Sequence, residues 1–174
     1  MEEILIMKLK LLALGFLLSG FGTSYAQDTA AIKRNAQIWV DCFWNGNMET
    51  ALKYSDPRFV SKAGGKTELT SNMKSTLATL RAEGITFRSV KLGEVSKIYK
   101  AGAELHCAIP QQVFMNRKKG YFTYESDILA ISIDNGKTWK FFNGDLSQKD
   151  LKKLFPNFNK ELVLKKLSSP VLHE

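Results

Sequence analysis

The order of elements in this 174-residue chain predicts an α+β domain, and three observations carry that expectation. Apolar residues recur every three to four positions up to Glu83, as in amphipathic helices. From Ile85 onward the period shortens to that of strands. Asn135-Gly136 then joins two apolar runs within Gly120–Asp145, and this dipeptide tolerates the positive φ of a tight hairpin turn. Helices followed by strands in hairpin connection make an α+β fold.

The first residues read as a leader. Lys8 and Lys10 precede an apolar run, Leu11–Leu18, too short to span a bilayer. Ser24-Tyr25-Ala26 places small residues at −3 and −1 of a cleavage site, so residues 1–26 are expected to be a signal peptide, with Met7 a better initiator than Met1. No Cys follows the apolar run to take a lipid. The expectation is an exported chain, periplasmic or extracellular, that is not membrane-embedded after cleavage. Removing residues 1–26 takes away two lysines and two glutamates and leaves the net charge at +8.

Asp28 and Thr29 can cap a first helix to about Asn45, with Ile32, Ala36, Trp39, Val40 and Phe43 on one stripe. Asn47 can cap a second, Met48–Tyr54, which Ser55-Asp56-Pro57 closes. Arg58-Phe59-Val60 reads as a short strand or extended arm. A third helix starts at Thr67 or Thr70 and ends at Gly84. Thr86–Tyr99 reads as one long strand bulged at Gly93, followed by Ala103–Met115, bulged or unpaired at Pro110 because proline has no N–H. Counting from Asn135-Gly136, Ser132 faces Trp139, Ala130 faces Phe141 and Ile128 faces Asn143. Ser147–Leu154 is a short helix that Asp145 can cap, and a tail follows. Alternation fails at Ile128–Ile133, so helices should cover one face of the sheet there and the tail, a partner chain or a ligand the other.

The positive charge is scattered over many elements instead of forming a basic stripe with interleaved aromatics, which argues against nucleic acid. His106 and His173 are the chain's two histidines, and no zinc-type spacing exists, so no metal or other cofactor is implied. Cys42 and Cys107 can form a disulfide in an oxidising compartment or act as small buried hydrophobes. For chemistry, His106 with Asp127 or Tyr124 on the next strand is the candidate acid–base pair. Trp44, Tyr54, Phe114, Phe122 and Phe142 are the candidate ligand cradle, with core packing the plainer reading of such aromatics.

Trp44-Asn45-Gly46-Asn47, the following helix with Ala51-Leu52, and Asp56-Pro57-Arg58-Phe59-Val60 resemble the nuclear-transport-factor-two-like superfamily, which includes ketosteroid isomerase and SnoaL-type cyclases. Asp134–Phe141 is similar to that superfamily's last hairpin. The resemblance covers about Asp28–Asp145. It implies a cone-like α+β barrel, with N-terminal helices in the concave face of a strongly curved antiparallel sheet and a pocket at the open end. It divides the chain into leader 1–26, domain 27–146 and a C-terminal helical segment and tail, 147–174. The isomerase's carboxylate base falls on Lys62, and Trp39 and Cys42 stand where such enzymes place a Tyr donor, which disfavours isomerase activity. The leading expectation is non-catalytic binding of a small apolar molecule or peptide in the cone. The alternatives are a dehydratase- or cyclase-like enzyme built on His106 and a homodimerising module that uses the outer sheet face.

Overall fold

A computed structural model describes residues 25–174. The expected leader lies outside the described residues except for its last two. The chain divides into two compact units, Met1–Ala31 and Ile32–Glu174, and the second holds the sheet and all the sites discussed below.

Helix α1 spans Tyr25–Trp44, starting earlier than its expected cap, and its stripe Ile32, Ala36, Trp39, Val40 is at most 4% exposed. Helix α2, Met48–Tyr54, is capped by Asn47, whose side chain accepts from Thr50 N. Where the sequence reading expected an extended arm, Pro57–Lys62 is a short helix, α3. Asp56 explains the difference: it caps that helix through Arg58 N, and Pro57 sits in the first turn, where a missing N–H costs nothing. Helix α4 spans Lys66–Ala82 and buries Leu69, Met73 and Leu77.

The expected single strand Thr86–Tyr99 is two strands, β1 (Thr86–Leu92) and β2 (Tyr99–Ala101), which both pair with β3, Glu104–Asn116. The ladder breaks opposite Pro110, which has no N–H to give on that side. Gly93 N still donates to Pro110 O, and Ser96 spans the gap by bonding both N and O of Ala108. A Cβ on Gly93 would lie 3.1 Å from the Pro110 ring, so the residue there has to be small. The bulge in β1 is at Arg88, not Gly93.

Strand β4, Tyr121–Ser132, pairs antiparallel with β3 along its whole length and then with β5, Lys140–Asn143. The expected register holds: Ile128 faces Asn143 and Ala130 faces Phe141. The ladder, however, stops at Ile131–Lys140. Side chains close the turn beyond it, since Asp134 accepts from Thr138 N and Oγ1 and Ser132 Oγ accepts from Gly136 N. Asn135 and Gly136 both take positive φ, as the dipeptide predicts. Helix α5, Gln148–Leu154, is capped by Ser147 and not by Asp145. The tail contains one more strand, β6 (Val171–His173), which pairs with Tyr121–Thr123 of β4.

The result is an α+β fold in which helices pack on one face of a strongly curled antiparallel sheet. Both faces of β3 and β4 are covered. On the inner face, α1 packs on Leu105, Cys107, Ile109, Ile128, Ala130 and Phe141. On the outer face, Leu151, Phe155 and Leu162 of the C-terminal segment pack on Ala108, Leu129, Ile131 and Phe142. That segment, Gly144–His173, is called the strap below. The outer face around Ile128–Ile131 is thus covered within the chain, whereas Ile133 beyond it is 74% exposed.

Candidate functional site

A cavity of ≈100 Å³ opens between α1 and the inner face of the sheet, at the end where Asn143 is exposed. Trp39, Val40, Phe43 and Trp44 reach it from α1 as two pairs four positions apart, 39/43 and 40/44, and helical spacing is what aims them into one wall. The opposite wall is polar. Gln111 on β3 and Ser126 and Tyr124 on β4 share the inner face, because Gln111 stands directly across from Ser126 in the register. The Gln111 amide donates to Ser126 Oγ at 2.9 Å. Burial pushes the Tyr124 phenol up, so its O–H stays a donor at any ordinary pH. Trp39 is fixed from behind, its Nε1 donating to the buried Ser55 Oγ at 2.9 Å.

A larger groove of ≈740 Å³ runs along α2 and α3, lined by Lys53, Lys66 and Lys140 among other residues. It is a wide-open surface feature. The smaller cavity is where aromatic walls meet convergent polar groups, as ligand sites require.

A second polar cluster lies beneath the strap. Arg58 donates to both carboxylate oxygens of Asp56 and, at 2.9–3.2 Å, to both of Glu104. Glu104 Oε2 in turn lies 2.8 Å from His106 Nε2. The guanidinium also sits 4.3 Å over the Phe155 ring. Burial pulls Arg58 down, but the hydrogen bonds with Asp56 and Glu104 outweigh it and the group ends raised. Burial pushes the Glu104 carboxyl up, and Arg58 and His106 together hold it below the usual value. For His106 burial wins: its value is lowered despite Glu104. The ring is therefore neutral at pH 7, with the Nε2 proton on Glu104 and a lone pair on Nδ1 that has no partner. A carboxylate-held imidazole with a free lone pair can act as a base, but the ring is 1% exposed under Phe155 and Phe158, at the floor of a cavity of ≈110 Å³ that Arg58, Glu104, Phe155 and Asn157 also line.

The expected acid–base pairing is not assembled. Tyr124 projects from the inner face and His106 from the outer one. Asp127 shares the outer face, but it stands across from Pro110 and His106 stands across from Ile131, four positions along the strand. The Asp127 carboxylate instead accepts from Lys165 N at 2.7 Å, anchoring the strap. Of the five candidate cradle residues, Trp44 lines the inner cavity. Phe142 is buried on the outer face against Phe59 and Phe155, Tyr54 packs beside the inner core, Phe114 meets Tyr121, and Phe122 pairs with Met115. Cys42 and Cys107 are both free thiols, and burial pushes Cys107 up to about 12, which leaves it protonated and inert.

Sequence reasoning missed Gln111, Ser126, Asn143 and the Asp56–Arg58–Glu104 network. Gln111 carried a signal, a polar residue two places from Ile109 and Val113 on an otherwise apolar strand face. Among the described residues no group of three His, Cys, Asp or Glu is arranged to hold a metal ion, and no helix is long and apolar enough to cross a membrane. Neither a scan against models of protein families nor a comparison with curated proteins finds a match to this sequence.

Proposed function

We propose that the chain is an exported member of the nuclear-transport-factor-two-like superfamily that binds a small, partly apolar molecule, or a peptide side chain, in the inner cavity. One observation carries this reading: three aromatic rings from α1 face Gln111, Tyr124, Ser126 and Asn143 across a single opening. Apolar walls supply the binding energy, and a few placed polar groups set orientation. The volume equals roughly three waters at ~30 Å³ each. The occupant is therefore a compact group, or the end of a longer molecule entering past Asn143. The resemblance of Trp44–Asn47 to the superfamily, which implies a pocket at the open end of the cone, supports this reading, since Trp44 lines the cavity.

The test is a fragment screen of the chain by thermal shift and native mass spectrometry, repeated on Trp44→Ala and Gln111→Leu. Binding fragments that lose at least tenfold in affinity in both variants support the reading. Fragments that bind both variants as they bind the parent, or a screen with no binder, contradict it. Export predicts a mature N-terminus at Gln27, which N-terminal sequencing of the exported protein reads directly.

A further inference from the structure

His106 is the one histidine of the two that the strap buries, and its surroundings differ from those of an ordinary core residue. Its ring meets Phe155 edge-on at 5.5 Å and Phe158 at 5.7 Å, both on the strap. Its own strand supplies Glu104, and the α3 region supplies Arg58 and Asp56. Tyr99 on β2 and Ile131 on β4 stand across from it in the two ladders. Nδ1 is buried without a partner.

We propose that His106 is an acid-sensitive latch, whose protonation lifts the strap off the outer face and uncovers Ala108, Leu129, Ile131 and Phe142. The second proton can only go to Nδ1, because Nε2 already holds the bond to Glu104. That creates a buried N–H with no acceptor and an added charge where burial keeps water away, both unfavourable. Glu104 and Asp56 favour the cation, Arg58 opposes it, and burial decides against it. Water relieves the cost, and although a cavity of ≈110 Å³ lined by Arg58, Glu104, Phe155 and Asn157 borders the site, the ring is only 1% exposed, so its full hydration needs Phe155 and Phe158 to move. The direction follows from linkage: the released ring binds protons more readily than the docked one, so acid favours release.

Two anchors bound the segment that moves: Lys62 pairs with Asp150 at 3.6 Å on one side, and the Asn159 amide donates to Lys100 O at 3.1 Å on the other. Lys165 N on Asp127, Ser168 on Glu125 and His173 on Thr123 hold its distal half. His173 stacks on Tyr121, which also faces Arg88, and it has a hydrogen-bond partner where His106 Nδ1 has none. Release therefore begins at Leu151–Phe158.

The test is hydrogen exchange of the full chain at pH 7.5 and 5.0, each amide corrected for its intrinsic rate. The readout is strap protection at residues 151–158 relative to the centre of β3 and β4. The expected result is a fall at pH 5.0, at least about threefold, because acid favours the state in which the ring binds its proton more readily. In His106→Phe, which fills the same space and cannot titrate, the ratio should stay flat. If that variant does not fold, His106→Gln is judged in its place. A flat ratio in the parent chain, or the same fall in the non-titrating variant, overturns the latch. So does loss of the fall in His173→Gln.

Discussion

The two faces of β3 and β4 are covered by different means, the inner face of β3 along its whole length and the outer one only near its centre. On the inner face α1 presents a regular stripe, and the contacts are almost wholly apolar until the open end, where the cavity interrupts them. On the outer face the strap, one short helix (α5) followed by mostly irregular chain, lies over an apolar centre, and polar groups hold its irregular part residue by residue: Asp127 with Lys165, Glu125 with Ser168, and the Asp56–Arg58–Glu104–His106 chain beside Phe155. A helix brings its own backbone hydrogen bonds to the sheet, whereas an irregular segment must find partners for each N–H and C=O. This difference places the ligand-sized opening on the inner face and the titratable device on the outer one.

The comparison makes the strap core and not decoration, and Phe155→Ala tests that most severely. Phe155 is 2% exposed and Phe141, its inner-face counterpart, 0%. Truncation of either should cost about 3–5 kcal/mol in urea unfolding. A loss under 1 kcal/mol for Phe155 alone would show the strap to be loosely attached. Next in size is Arg58→Ala, which strands the 3%-exposed Asp56 carboxylate and should cost about 3 kcal/mol. Restoring stability by adding Asp56→Asn would confirm that the uncompensated charge is the cause.

Gly120→Ala should act on one end of the strap only. Gly120 has φ +72°, and a Cβ there would stand 1.9 Å from the His173 carbonyl oxygen, so β6 has to leave β4. Hydrogen exchange should show Val171–His173 unprotected and the β3–β4 centre unchanged. A smaller effect separates the turn from both faces. The Thr138 side chain and backbone and the Ser132 hydroxyl hold the exposed Asp134 carboxyl down at about 2. Its contribution is present above its ordinary value and lost as pH falls toward 2. Carboxyl titration by NMR in Thr138→Val should move Asp134 back toward the usual range.

The inner half of this architecture was legible because its signals are periodic. Ile32, Ala36, Trp39 and Val40 announce a face, Asn47 and Ser55-Asp56-Pro57 mark ends, and Asn135-Gly136 sets a register that holds pair by pair. The outer half was not legible. Phe155, Leu162 and Leu164 follow no period, and β6 is three residues that read as tail. Asp56-Pro57-Arg58 was misread because a proline that closes one helix also starts the next. The pairing of His106 with Asp127 or Tyr124 failed for a geometric reason. Tyr124 takes the opposite face once the pleat is counted along both strands, and Asp127, on the same face, stands four positions too far along β4.

The proposed entry of ligand on the inner face can be read from the three tryptophans of the chain in one experiment. Trp39 and Trp44 line the cavity, while Trp139 is buried beside the hairpin turn with its Nε1 on Gly136 O. A compact aromatic amide, titrated into ¹⁵N-labelled protein, should shift the indole N–H signals of Trp39 and Trp44 saturably and leave that of Trp139 in place. Saturable binding that moves Tyr121 and His173 of the outer face while both cavity tryptophans stay still would contradict it.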